Sequence, residues 1–458
     1  MRVLEILILV LDGVYLLGAI RRPSWLNWLP LTAVLLIPVH LVVEGYRWQM
    51  LPTFGLTAVL AATAVWHLRQ SDQARKLWRG VGLLVGGLVW LVAVALPWLL
   101  PVPQPPQPSG PLPIGAITRH LVDASRDEIW TADPGDHREI MVQVWYPTDQ
   151  TEGETAPYLE NLDVIGPALA EQFGLQPFMF NHVNLSKTAA PPDAPVIGEE
   201  LPIILFSHGL TGFRGQNTGM VQELASHGFV VATVDHTFGN VLTAFPDGRI
   251  EFYDPCRIEP SCDVTAQNGG RKLERQWAED LSFVLDEMAK WTADPNNPFY
   301  NRLNLENVGV FGHSTGGGTA VLFCHDDSRC RAALPLDGWV LPVDDEITGL
   351  AKPVMFISTP AWLGEENAAR GQAMFTQSTG PAYALAIAGT EHYDFSDMPL
   401  FSPLTHQLGL SGTIDGERVT SILNQYAVAF FRQYLAGTDE DLLAQTAVFP
   451  EVTLQKHE

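Results

Sequence analysis

Four long apolar runs fill the first hundred residues, at about Val3–Ile20, Trp25–Val43, Leu51–Leu68 and Val81–Leu100. Each approaches the ~20 residues that cross ~30 Å of hydrocarbon at 1.5 Å per residue. Almost no charge interrupts them, so the pattern predicts about four transmembrane helices over residues 1–100. Glu5 and Asp12 lie on one face of the first run. A polar contact inside a helical bundle would accommodate them, and so would a tilted, partly inserted helix. Only Arg2 leads this run and no small-residue cleavage site follows it, which argues against a cleavable signal peptide.

Residues 101–114 then carry seven prolines between Pro101 and Pro113. Such a stretch forms neither helix nor ladder and favours an extended spacer, read here as a semi-rigid stalk. From residue 115 to 458 the pattern changes to short β-branched runs alternating with helical stretches. Strands are predicted at Ile140–Tyr146, Pro202–Ser207, Phe229–Val234, Val308–Gly312, Ala332–Leu336, Val354–Ser358 and Tyr383–Ala388. Helices are predicted at Thr218–His227, Arg271–Trp291, Thr315–His325, Glu365–Gln377 and Glu417–Leu435. Near-continuous apolar strands separated by helices mean a mostly parallel sheet covered on both faces. The expected architecture is therefore an α/β body preceded by a helical membrane bundle.

Composition sharpens this division. The 458 residues hold 27 Lys+Arg against 51 Asp+Glu, a net charge of -24, with 47% hydrophobic and 17% charged residues. That balance excludes a disordered chain, and strong acidity excludes a nucleic-acid partner. The charge is uneven: residues 1–101 carry 8 basic and 4 acidic side chains, the rest 19 and 47. The first and third loops of a four-span bundle hold Arg21 and Arg22, and Arg69, Arg75, Lys76 and Arg79, against Arg2 and Arg47 on the opposite side. Basic loops stay cytoplasmic, so the C-terminal body is expected outside the cell membrane. If the first run does not span, Arg2, Arg21 and Arg22 share a side with the third loop and the body still falls outside.

The candidate chemistry begins at Val308-Gly309-Val310-Phe311-Gly312-His313-Ser314-Thr315-Gly316. An apolar strand running through Gly-x-Ser-x-Gly into a helix is the context of a nucleophile elbow, where only glycine tolerates the crowding around the serine. Ser314 is the expected nucleophile, with Gly312 and Gly316 the elbow glycines. A serine hydroxyl needs a base, and the base an orienting acid, both downstream in this fold. His392 follows a strand and a Gly-Thr-Glu turn and is the expected base, with His406 its rival; His325 and His457 are badly placed. Asp337 ends the strand after the elbow and is the expected acid, against Asp344, Asp345 and Asp394. Oxyanion donors are expected at the N–H groups of Thr315 and of Leu210, in the His208-Gly209-Leu210 loop after an earlier strand. His208 and His313 are read as orienting or packing groups rather than bases.

At these residues the chain resembles the plasma and intracellular type II platelet-activating factor acetylhydrolases. The likeness rests on Phe206-Ser207-His208-Gly209-Leu210, Phe213-Arg214, Leu224–Phe229, Gly312-His313-Ser314, Leu336-Asp337-Gly338-Trp339 and Gly389-Thr390-Glu391-His392. It covers roughly residues 115–435. It implies an α/β-hydrolase fold, a triad of Ser314, Asp337 and His392, and oxyanion donors at Leu210 and Thr315. It also implies calcium-independent hydrolysis of short or oxidised acyl groups from phospholipids. The departures are Thr315 where better-known members carry an aromatic, an extra Gly318, and the polytopic N-terminus. The glycine-rich elbow is similar to bacterial polyester hydrolases and cutinase-like enzymes as well.

Four cysteines remain: Cys256, Cys262, Cys324 and Cys330. Their spacing does not suit a metal set, and three disulfide pairings are open. Local bridges Cys256–Cys262 and Cys324–Cys330 suit an extracytoplasmic body. The expectation is a membrane-anchored serine esterase acting on a lipid or small-molecule ester, without cofactor or metal. The alternatives are a cutinase-like or general carboxylesterase, or a membrane sensor or scaffold with a hydrolase-like body, against which the complete Ser–Asp–His order speaks.

Overall fold

The computed structural model describes residues 1–18, 23–69, 76–445 and 448–457, excepting the side chains of residues 76–79 and Gln267. Two compact units divide the chain. One comprises Met1–Pro103, Ala170–Ser186 and Phe401–Leu404, and the other Gln104–Leu169, Lys187–Leu400 and Thr405–Glu458.

The first unit holds helices α1 (Val3–Gly18), α2 (Trp28–Val43), α3 (Leu51–Arg69) and α4 (Lys76–Leu99). Among the described residues, Ser24–Val43, Trp48–Arg69 and Gly80–Leu99 are long and apolar enough to cross a membrane. Helix α1 has 16 described residues, roughly 24 Å of rise, short of a full span; Ala19 and Ile20 of the first apolar run lie outside the described residues. So do Arg21, Arg22 and Arg75, on which the charge argument partly rests. The two acids of α1 make contacts inside the bundle. Glu5 takes a forked ion pair from Arg47 (2.7 and 2.5 Å), whose other nitrogen donates to the Leu100 carbonyl at 3.0 Å. Asp12 accepts the Thr57 hydroxyl at 2.6 Å. All four side chains are buried, so each costly polar group has a partner rather than lipid.

The second unit is built on β1 (Ile114–Asp127), β2 (His137–Pro147), α5 (Leu162–Gln172, its last three residues belonging to the first unit), β3 (Leu201–Ser207), α6 (Thr218–Ser226), β4 (Val230–Asp235), β5 (Leu242–Ala244), β6 (Ile250–Phe252) and α7 (Pro255–Ile258). It continues with α8 (Gln267–Ala293), β7 (Leu303–His313), α9 (Thr315–Asp326), β8 (Cys330–Leu336), β9 (Val354–Ser358), α10 (Glu365–Gln377), β10 (Ala382–Ile387), α11 (Gly416–Leu435), α12 (Asp441–Ala444) and β11 (Val452–His457). Nine strands form one sheet in the order β1-β2-β4-β3-β7-β8-β9-β10-β11. The six from β4 to β10 are parallel, while β1, β2 and β11 pair antiparallel at the edges.

The strand pleat sorts the core into two layers. Ile203 and Leu205 of β3 pack with Val310, with Leu281, Val284 and Met288 of α8, and with Val321 of α9. Their neighbours Ile204 and Phe206 face the other way, onto Val221 and Leu224 of α6 and Tyr426 and Phe430 of α11. Helices on both faces leave only the strand tips open for chemistry.

The proline stretch is extended, as its composition demands, yet its second half does not run free. Ser109 N–H donates to Glu223 at 2.8 Å, Gly110 N–H to Ser226 Oγ at 3.1 Å and Leu112 N–H to the Ser226 carbonyl at 3.2 Å. From Ser109 onward it is a strap fastened to the end of α6, not a free stalk. Both local disulfides are closed, Cys256–Cys262 and Cys324–Cys330.

Candidate active site

Strand β7 turns into α9 through Ser314, whose φ of 56° and ψ of -119° lie outside the ordinary allowed regions. Sequence explains why the chain accepts that strain. A Cβ on Gly312 would strike the Gly316 carbonyl, and one on Gly316 the Ser207 carbonyl, so only glycines let the turn close. The Ser314 backbone is then pinned to β8: its N–H donates to Leu336 O at 3.0 Å, and its carbonyl accepts from Trp339 N at 2.8 Å. The additional Gly318 has a local cause. A side chain there would occupy the place of Glu274 Oε1 and the Trp339 carbonyl. Burial pushes the Glu274 carboxyl well above its ordinary value, which keeps it neutral behind the elbow.

Asp337 stands at the tip of β8, fully buried, with φ 41°. One oxygen accepts from Thr359 N–H (2.9 Å) and Thr359 Oγ1 (3.2 Å), and the other from His392 Nδ1 (2.7 Å). Thr359 was not legible as a site residue; it follows the end of β9, one strand tip away from Asp337. His392 opens a short 3₁₀ turn, His392–Phe395, after β10 and remains partly exposed. Its ring lies 4.4 Å, centroid to centroid, from that of His313, the residue before Ser314. Ser314, Asp337 and His392 thus gather at the same sheet edge, with the His392–Asp337 bond formed.

The rivals are committed elsewhere. His406 holds the Ser411 carbonyl at 3.1 Å. Asp394 accepts from Glu391 N–H and Gly412 N–H (2.8 and 2.6 Å), bracing the turn that carries His392. Asp344 and Asp345 pair with Arg271, both at 3.4 Å. His325 sits beside Asp326, and His457 ends the edge strand β11.

Two backbone N–H groups near the turn, of Thr315 and Leu210, are left unused among the described residues. Thr315 opens α9, so its N–H belongs to the unpaired first turn of a helix, which also favours negative charge. In the loop whose Gly209 lies against Ser314, Gly209 N–H is used by Gln216 Oε1 (3.1 Å) and Thr211 N–H by Gly239 O (3.0 Å). Leu210 N–H, between them, donates to no group among the described residues. Its side chain leans on the cluster of Trp130, Phe238, Leu273 and Trp277. His208 donates Nδ1–H to Gly209 O at 2.6 Å and accepts from His236 N–H at 3.3 Å. Burial and the neighbouring His236 hold its imidazole well below its ordinary value, so it stays neutral and shapes the loop.

A second Ser–His–Asp set lies beneath this loop. Ser207 Oγ meets His236 Nε2 at 2.9 Å, and His236 Nδ1 meets Asp280 Oδ2 at 2.9 Å. Burial opposes the charge of Asp280, yet a forked pair from Arg138 (2.9 and 2.6 Å) holds the carboxyl far below its usual range. Ser207, His236 and Asp280 are each wholly buried, so no ester reaches them. They fasten the tips of β3 and β4 to α8 and carry the loop that holds Leu210.

Asp397 clamps the segment after His392 to α6, accepting from Tyr158 OH (2.9 Å) and Gly219 N–H (3.1 Å). Burial raises its carboxyl from 3.8 to about 7, despite these bonds. A raised acid favours folding while protonated. Its contribution is full below about pH 4 and is lost as pH rises through about 7. Wild type is therefore expected to lose several degrees of Tm between pH 5 and pH 8 relative to Asp397→Asn; parallel Tm curves would refute this.

The sequence model for platelet-activating factor acetylhydrolase, isoform II, matches residues 103–244 and 290–445. A platelet-activating factor acetylhydrolase of Cavia porcellus is 27% identical over 335 residues, 67% of this chain and 74% of that protein. A probable 1-alkyl-2-acetylglycerophosphocholine esterase of Arthroderma benhamiae is 24% identical over 386 residues, 76% and 92% of the two chains. Among solved structures, a ferulic acid esterase from Streptomyces cinnamoneus superposes with a TM-score of 0.64 at 30% identity, covering 77% of this chain and 99% of that one. Together with the mixed sheet and its two helical layers, that likeness makes the second unit an α/β-hydrolase.

Proposed function

The chain belongs to the platelet-activating factor acetylhydrolase isoform II family and is a carboxylic ester hydrolase, and on that premise we propose that it removes short acyl groups from membrane phospholipids through a covalent acyl-serine. Ser314 Oγ attacks the ester carbonyl while His392 Nε2 takes its proton. Asp337 holds the ring by Nδ1 and stabilises the imidazolium. The N–H groups of Leu210 and Thr315 bind the oxyanion. His392 then protonates the departing glycerol oxygen, and a water deprotonated by the same ring releases the acid. The observation that carries this reading is the 2.7 Å His392–Asp337 bond at the tip beside a strained Ser314. Acyl release from an acetyl phospholipid by the purified full chain tests it. The likeness to a ferulic acid esterase favours a second reading, an esterase of aromatic acids; activity on hydroxycinnamate esters with none on the phospholipid would select it.

The N-terminal helices anchor the enzyme in the cell membrane with the body on the extracytoplasmic side. The uneven loop charge supports that orientation, and two closed disulfides suit an oxidising compartment. A topology reporter fused after Glu458 is expected to be active only in its extracytoplasmic form, and non-reducing mass spectrometry to recover both bridges. A reporter active in the cytoplasm would reverse the orientation.

A further inference from the structure

Gln216 lies in the loop before α6 and joins two halves of the site that the sequence keeps far apart. Its Oε1 accepts Gly209 N–H at 3.1 Å, next to the peptide that ends in Leu210. Its Nε2 stands 2.7 Å from His313 Nδ1, and His313 Nε2 stands 3.0 Å from the carbonyl of His392. The partners fix every proton in this chain. A peptide N–H only donates and a carbonyl only accepts, so the amide faces Gly209 with oxygen and His313 with NH₂. His313 must then accept at Nδ1 and donate at Nε2, the neutral tautomer. Burial and the adjacent His392 hold that imidazole well below its ordinary value, in agreement. The Gln216 backbone adds a further tie, its carbonyl accepting Asp397 N–H at 3.0 Å.

We propose that Gln216 is a positioning residue that, through His313, holds the loop of the oxyanion donor Leu210 in register with the backbone of the base His392. The inference rests on the roles given above to Leu210 and His392. Preorganised donors act only when they already sit where the negative charge develops, so a loop free to drift by a fraction of an ångström forfeits rate rather than binding.

The test is a double-mutant cycle in the detergent-solubilised full chain, with Gln216→Leu, His313→Phe and both together, on an acetyl aryl ester. Gln216→Leu is expected to lower kcat by roughly 10- to 100-fold with KM within about threefold, and to slow fluorophosphonate labelling of Ser314 in proportion. Tm should stay near wild type, since Gln216 is partly exposed. Because the two residues act as one connection, the double variant should be no slower than the worse single variant, within about threefold. Losses that multiply would break the chain into independent contacts and overturn the proposal. A kcat within twofold of wild type would overturn it too. So would a raised KM at unchanged kcat, which would make Gln216 a substrate contact. Should His313→Phe not fold, the kcat and KM of Gln216→Leu decide alone. Ser314→Ala, run alongside, separates the two failures: if it stays active, the assigned mechanism falls and not only the role of Gln216.

Discussion

Ser314→Ala is expected to lower ester hydrolysis by a factor of ~10³ or more, and a fluorophosphonate should label wild type but not the variant. The magnitude follows from the covalent route: without the hydroxyl, only the oxyanion donors and binding remain to assist direct attack by water. At ~1.4 kcal/mol per tenfold change, the loss is at least about 4 kcal/mol of transition-state stabilisation. His392→Ala should be about as severe, because base and nucleophile act as a unit. Asp337→Asn should leave the fold intact yet disturb the ring that the 2.7 Å bond orients. Unchanged turnover in Ser314→Ala would end the assigned mechanism, and a crippled His406→Ala beside an active His392→Ala would move the base.

The second large effect is acyl length. Acetyl and butyryl esters are expected to exceed palmitoyl esters by at least ~100-fold in kcat/KM, since each extra methylene must find room in a fixed site. Packed rings lie beside His313, next to Ser314, and behind the Leu210 loop. His313 packs on His392 and Tyr393, Leu210 leans on Phe238 and Trp277, and Trp339 N–H grips the Ser314 carbonyl. Aromatic side chains held on both sides have few rotamers with which to open a long channel. A flat or rising profile with chain length would point to a lipase. High activity on aromatic polyester with none on short-acyl phospholipid would point to a cutinase-like enzyme.

How far the sequence carried depended on how local each signal was. All seven strands and five helices expected from periodicity are present, because buried strands and helices write their hydrophobic pattern in consecutive residues. Strand β1 was missed. Its Thr118-Arg119-His120 and its polar second half break the apolar run, and it is held by antiparallel pairing to β2 at the sheet edge. Strand β11 was missed for a similar reason, its Gln455-Lys456-His457 reading as a polar tail. The elbow was legible because strand, Gly-x-Ser-x-Gly and helix adjoin. The pairing of Asp337 with His392, 55 residues apart, could be anticipated only from the order of strand tips. Gln216 and His313, 97 residues apart, carry no such mark, because only the folded loops bring an ordinary amide to an ordinary imidazole. The strap at Ser109–Leu112 was hidden for the same reason: prolines announce extension but not what the extended chain lies against.

The buried Ser207–His236–Asp280 set bears on how hydrolases are recognised from coordinates. It satisfies a serine–imidazole–carboxylate distance template at 2.9 Å in both steps, one strand over from Ser314. A template blind to solvent would return this buried set as an active site, although no ester can reach it. What separates the two serines is exposure and backbone: Ser207 is sealed at the end of an ordinary strand, while Ser314 sits partly open on a forbidden turn. Solvent access and the φ angle of the serine are therefore the filters by which such a search sets aside a structural bolt built from the same three side-chain types.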